Sequence, residues 1–273
     1  DLDGNEYIDC FLCNGPLLLG HRHPEVMASR KELENVGSII YNPEFLMECA
    51  ELLKSLVPGA ELIRFLDSGS EAVLTAVRIA RAFTGKNKIV KFFGHYHGQD
   101  DQFLLGRGFT TEIISKGVPA EAVANTIVIE YSDIEVVKQK FDEDDDIAAV
   151  ILDPAMFAGG LWPAEKGYLK ALRQLTAERG IVLIFDEVIS GFRIAAGGAQ
   201  EHYGITADLM TFAKAFSGGG SLSAVAGRAD IMNGVVPNSA SDAFDIKAMG
   251  TYQSGTSNDD TMGLASSIGA LRA

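Results

Sequence analysis

Three consecutive runs decide the fold: AAVIL at 148–152, KGYLKALRQLTAERG at 166–180 and IVLIF at 181–185. The two outer runs are short, continuous and apolar, as strands buried on both faces are. The middle run places Leu169, Leu172 and Leu175 at helical spacing, and Gly180 supplies a C-terminal stop. Strand, helix, strand is the unit of a parallel sheet covered by helices. The alternation continues outward. LIRFL at 62–66, KIVKFF at 88–93, TIVI at 126–129 and LSAVA at 222–226 read as further strands. Residues 71–83 place Val73, Ala76, Val77 and Ala80 on one helical face. The expected class is α/β, a mostly parallel sheet flanked by helices. Ligands then bind beyond the carboxyl ends of the strands.

Composition sets the outer bounds. The chain has 273 residues, 47% apolar and 22% charged, which excludes a disordered or collagen-like chain. Its 23 Lys and Arg against 37 Asp and Glu leave a net charge of −14, the wrong sign for a nucleic-acid partner. The most apolar stretch, 147–162, is broken by Asp153 and Pro154, so no membrane span is expected. The opening DLDGNEYID carries acids where a signal peptide has basic residues. It reads as a turn between two strands, and residues 261–273 read as a helix without a stop signal. An internal piece of a longer protein is therefore expected. Three cysteines make no disulfide framework, which points to a reducing compartment, the cytoplasm. Cys10 and Cys13 lack the second pair or helix start that a zinc or redox reading needs, and are expected half-buried at a strand edge. The histidines His21, His23, His95, His97 and His202 lack metal spacing as a set. The acidic run 142–146 reads as a solvated turn rather than a metal site.

Three elements carry chemistry. Asp67-Ser68-Gly69-Ser70-Glu71-Ala72 follows a strand and opens a helix. Gly69 permits close backbone approach and Ser70 can cap the helix, so the segment is either a phosphate site or an ordinary N-cap. Asp186 ends the apolar strand at 181–185, where a buried acid needs a cationic or strong donor partner, or a metal. Lys214 follows the apolar run 209–213 and precedes Gly218, Gly219 and Gly220. It is the only lysine between Lys170 and Lys247. Desolvation there would lower its pKa and make it a nucleophile for carbonyls. A Schiff-base lysine, an acid for a pyridinium nitrogen and a phosphate-binding helix start are what pyridoxal phosphate requires.

With those residues in place, the chain resembles the class III pyridoxal-phosphate aminotransferases, in the subgroup near glutamate-1-semialdehyde 2,1-aminomutase. The matching motifs are DGNEYID (3–9), GPLLLGHRHPEV (15–26), SGSEAV (68–73), GHYHG (94–98), GYLKALRQL (167–175), FDEVISGFR (185–193), GGAQ (197–200) and GTYQSGTSN (250–258). They run in order from Asp3 to Asn258. The resemblance implies the pyridoxal-phosphate-dependent transferase fold type I. It also implies residues 1–42 as an N-terminal segment of the small domain, residues 43–273 as the large cofactor-binding domain, and a C-terminal small domain that is absent. It implies that Lys214 holds the cofactor and acts as general base and acid, and that Asp186 pairs with the ring nitrogen. Gly69 and Ser70 would bind the phosphate, and Tyr96 would stack on the ring. Thr256 would reach the phosphate of a neighbouring subunit, giving a homodimer with shared active sites. No metal is implied.

Several positions depart from the family pattern. Asp67 stands where Asn is usual and is expected to point away from the phosphate or to be hydrogen-bonded. Asp153-Pro154-Ala155 replaces Glu-Pro-Val, and Ala158 aligns with the aminomutase Asn near the ring oxygen. Asn258-Asp259-Asp260-Thr261 replaces Gly-Asn-Pro-Leu. Arg22, Arg193 and Arg228 are candidates for a substrate carboxylate, with Arg193 read as structural. The reading that follows is an aminotransferase acting between an amino acid or amine and a keto acid or aldehyde. The alternatives are the intramolecular aminomutase and a non-catalytic cofactor-binding homologue, which would have no need of both Lys214 and Asp186.

Overall fold

The computed structural model describes residues 2–34, 36, 43–108, 110–235 and 250–273. The expected boundary at residue 42 lies outside them. The strands are β1 (Leu62–Leu66), β2 (Lys88–Phe92), β3 (Thr126–Ile129), β4 (Ile147–Leu152), β5 (Val182–Asp186), β6 (Leu209–Phe212) and β7 (Ser223–Gly227). They form one seven-stranded sheet in the order β1-β7-β6-β5-β4-β2-β3. From β3 to β6 every pairing is parallel, while β7 runs antiparallel to both β6 and β1. The link from β6 to β7 holds only the 3-10 turn Lys214–Ser217, too short for the crossover a parallel return requires.

The helices are α1 (Pro24–Glu34), α2 (Pro43–Leu56), α3 (Gly69–Thr84), α4 (Ala120–Val123), α5 (Ile134–Glu143), α6 (Tyr168–Arg179), α7 (Gly198–Tyr203), α8 (Ala229–Met232) and α9 (Thr261–Arg272). The alternation of side chains along β5 sorts them between the two faces of the sheet. Val182 and Ile184 join the α3 side with Val73, Val77 and Ala80. Leu183 and Phe185 join the opposite side with Val137 and Phe141 of α5 and Leu169 and Leu172 of α6. A third cluster packs Leu53 of α2 and Leu264 and Ile268 of α9 against Met210, Phe212 and Phe216. Each such buried side chain contributes about 1.5–3 kcal/mol relative to exposure. Gly180 ends α6 as expected, in the left-handed conformation at φ 62°, with its N–H reaching the carbonyls of Thr176 and Ala177.

The opening segment corrects one expectation. Residues 5–9 form no strand, because Tyr7 and Ile8 stand exposed with no neighbouring strand beside them. Cys10 and Cys13 follow in exposed turns rather than at a half-buried edge.

One buried acid ties the sheet to its surroundings. Asp208 accepts the Leu183 N–H at 2.8 Å and contacts Arg173 at 2.9 Å and Arg228 at 2.8 Å. Asp208→Ala should lower unfolding free energy by about 1–3 kcal/mol from the orphaned Leu183 N–H alone. Urea unfolding checks this, and an unchanged midpoint would remove Asp208 from the stabilising set.

Candidate active site

The start of α3 is shaped by a reciprocal cap. Ser68 is extended, its Oγ accepts the Glu71 N–H at 3.4 Å, and Glu71 Oε2 accepts the Ser68 N–H at 2.9 Å. Ser68 is thus the cap, not Ser70 as expected, because the Ser-x-x-Glu spacing fits Ser68. The helix's first internal bond runs from Ala72 N to Ser68 O, so the Gly69 and Ser70 N–H groups precede it and point out of the helix end. The Ser70 Oγ accepts the Gln99 N–H at 3.2 Å, which joins α3 to the loop after β2. That junction needs Gly98, at φ 94°. A Cβ there would lie 2.6 Å from Ser70 Oγ.

Asp186, at the end of β5, is 5% exposed. Its Oδ2 lies 2.7 Å from His97 Nδ1, and its Oδ1 accepts from Thr211 Oγ1 at 3.2 Å and from the Val188 N–H at 3.1 Å. Desolvation lowers the pKa of the fully buried His97 although Asp186 pulls it upward. A carboxylate only accepts, so the Nδ1–H of His97 is the donor in this contact.

Lys214 leaves β6 with φ 50°, a left-handed conformation uncommon for a residue with a Cβ. Such strain persists only where surrounding structure imposes it, and it concentrates at working sites. Desolvation lowers the Lys214 pKa, Asp186 and Asp153 pull it up, and Arg193 adds to the lowering. One cavity at the carboxyl edge of the sheet is lined by Gly69, Ser70, Tyr96, Asp186 and Lys214, together with Ser68, Asn14 and Asp153. Five of the six residues singled out from the sequence therefore face one space. Tyr96 is 38% exposed rather than a core aromatic, and the Arg107 guanidinium lies 5.2 Å from its ring centroid.

A family model described as aminotransferase class-III matches residues 1–254. The chain belongs to the class III aminotransferase family. It is 42% identical over 278 aligned positions to the glutamate-1-semialdehyde 2,1-aminomutase of Natranaerobius thermophilus, covering 100% of this chain and 62% of that protein. An omega-transaminase from Sphaerobacter thermophilus superposes with a TM-score of 0.89 at 33% identity, covering 100% of this chain and 63% of that one. A structure described as a transaminase with PLP bound gives 0.87 at 35% identity, with the same coverage. The mostly parallel sheet flanked by helices is thus the expected fold type I. The chain spans about 62% of the length of the curated relatives it matches.

Other class III positions fall differently. Thr256 is exposed and does not line the Lys214 cavity; Gln253, Gly255 and Asn258 of its loop border a separate hollow beside Met47 and Phe65. Asp67 does not line the cavity either. Its Oδ1 is buried without a hydrogen-bond partner, and desolvation, Glu71 and Asp260 raise its pKa. Arg228 is engaged by Asp208 and Asp230, away from the cavity. Arg193 donates to the Gly15 carbonyl at 2.5 Å, and Gly15 lies so near Lys214 that a Cβ would stand 3.5 Å from its Cδ. Arg193 thus ties the Gly15 turn beside Lys214. Arg22 borders a different hollow with His21 and His23. Ala158 sits in the 3-10 turn Phe157–Gly159 after β4. Among the described residues no cluster of His, Cys, Asp or Glu could hold a metal, and no helix is long and apolar enough to cross a membrane.

Two site residues escaped the sequence reading. Asp153 is buried beyond β4, accepts the Ala155 and Phe157 N–H groups at 3.2 and 2.8 Å, and is pushed up to about 7 by desolvation and by Asp186. An acid directly after an apolar strand was its signal, the same one that marks Asp186. His97 lies in the GHYHG motif, but its role could not be read there, because its partner Asp186 is far away in the sequence.

Proposed function

We propose that this chain is the cofactor-binding part of an enzyme that uses pyridoxal 5'-phosphate to move an amino group between an amino acid or amine and a keto acid or aldehyde. One observation carries the reading: the start of α3, Tyr96, Asp186 and Lys214 face a single cavity. The donor set fits the cofactor part by part. The free N–H groups of Gly69 and Ser70 suit a phosphate, and the Asp186 carboxylate suits a protonated ring nitrogen. Tyr96 offers a flat face, and Lys214 offers a primary amine.

Bound there, pyridoxal phosphate supplies a carbonyl that condenses with amines and a ring that accepts electron density from the carbon bearing nitrogen. Lys214 Nζ, lowered in pKa by desolvation, would hold the cofactor covalently. Once displaced by a substrate amine, it would take a proton from the substrate carbon and return one during the exchange. Asp186 would keep a proton on the ring nitrogen. Its donors His97, Thr211 and Val188 stop it from turning away.

The transaminases among the structural relatives support intermolecular transfer. The aminomutases at 42% identity favour a second reading, intramolecular transfer on one substrate. An amino-donor screen followed by cofactor absorbance separates them. Stoichiometric release of a keto product from donor alone supports the first, and an isomer of the donor supports the second. A bound cofactor with no product from any donor would leave the non-catalytic homologue.

The partners follow from the same reading: a small-molecule amino donor and a keto or aldehyde acceptor, with no nucleic acid. The assignment of residues 1–42 to the small domain and 43–273 to the large one belongs to this proposal, as does the cytoplasm, supported by three free thiols. So does a homodimer with shared sites, in which exposed Thr256 reaches the partner's phosphate. Thr256→Ala should weaken cofactor binding by about 1–3 kcal/mol, the cost of a lost hydrogen bond to a charged group. Mixing Lys214→Ala and Thr256→Ala chains should form one intact site per heterodimer, since both lesions fall in the other site. Activity equal to the average of the parents, or an active monomer, would refute sharing.

A further inference from the structure

Lys91, in β2, is completely buried. Its Nζ donates to three backbone carbonyls, Leu105 at 2.7 Å, His95 at 3.1 Å and Phe103 at 3.4 Å. A buried charge is costly without an opposite charge beside it, and an apolar side chain would fill the same space. The three carbonyls belong to the stretch that leaves β2, carries Tyr96 and Gly98 into the cavity wall and sets buried His97 behind Asp186. The stretch is closed on itself by the Gly94 N–H to Gly106 O bond at 2.9 Å. The Phe103 ring packs edge-on against His97 with centroids 5.9 Å apart. Lys91 thus stands directly behind the group that holds Asp186.

Building on the proposed function, we propose that Lys91 is a positioning residue for Asp186: by drawing three loop carbonyls together, its ammonium holds His97 as a neutral Nδ1–H donor to that carboxylate. A neutral donor leaves Asp186 its full negative charge for the ring nitrogen, whereas an imidazolium would cancel it. The groups around His97 agree with this. Asp186, from β5, favours a protonated ring, while burial and the Lys91 charge, from β2, oppose it. Burial above all, and the Lys91 charge with it, lowers the pKa of His95, whose ring centroid lies 5.8 Å away. Its Nδ1 accepts the Asp153 N–H at 3.1 Å. Asp153 and Lys214 face the cavity from the ends of β4 and β6.

The test uses the cofactor-free protein labelled with 15N-histidine and read by NMR across pH. In the native protein His97 should stay the Nδ1–H tautomer through neutral pH. Lys91→Gln keeps a donor but removes the charge, and should raise the His97 titration midpoint by roughly one pH unit. Lys91→Arg restores the charge and should bring it back. A native-like Lys91→Gln protein with an unchanged His97 midpoint and tautomer would overturn the proposal. If that variant does not fold, the native protein still decides. Its His97 should then be a neutral ring at neutral pH, with the proton on Nδ1. An imidazolium, or the Nε2–H tautomer, at neutral pH would overturn it equally. Neither readout needs pyridoxal phosphate, so a protein that fails to bind the cofactor sinks the proposed function separately.

Discussion

Lys214→Ala will abolish amino transfer while leaving part of the cofactor bound through the helix start and Asp186. Among the described residues Lys214 is the lysine that lines the cavity at the carboxyl edge of the sheet, partly desolvated and held in a left-handed conformation. On the proposed function, its removal would delete both the covalent anchor and the proton carrier. Loss of a positioned acid–base group alone costs about 10²–10⁴ in rate, and loss of the anchor adds to it. Borohydride reduction of the loaded native enzyme, followed by peptide mapping, should place the label on Lys214. Label on another lysine, or turnover surviving in Lys214→Ala, would refute the assignment.

The second large effect is expected at Asp186. Its carboxylate has three donors, so Asp186→Ala would orphan buried groups at a cost of about 1–3 kcal/mol each. Asp186→Asn is the cleaner variant, since its amide oxygen can still accept while the negative charge is gone. Without that charge no residue would hold a proton on a bound ring's nitrogen, and the ring would accept electron density less well. The rate should fall by about 10²–10³, the scale for removing one preorganised electrostatic contact. Cofactor affinity should fall much less, because the phosphate contacts and Lys214 are untouched. Single-turnover absorbance of the loaded variant reads the chemical step directly, and a near-native rate would count against the role.

Much of this site was legible because both-face burial leaves a local trace. AAVIL in β4 and VLIF in β5 are continuous apolar runs because both faces of these strands are covered. A charged residue at the end of such a run, Asp186 or Lys214, stands out against its neighbours. The Ser68 to Glu71 cap was equally local, though Ser70 drew the reading away from it. What could not be read depends on strand order. His97 follows β2 and Asp186 ends β5, and they meet because β4 lies between those strands in a parallel sheet. Lys91 looked like any polar residue of a strand, and only the stretch 95–105 folding over it makes it a buried cation.

By itself, then, the sequence determined the α/β class, the family motifs and the edge of the sheet where chemistry sits, because side-chain periodicity and strand ends are properties of neighbouring residues. The tertiary structure alone decided that β7 runs backward and that Asp186 is gripped by His97. It also decided that Arg228 pairs with Asp208 and Asp230 and that Thr256 lies outside the cavity of its own chain. Those outcomes rest on contacts between segments far apart in the chain, which form only when loop length, strand order and burial are satisfied together.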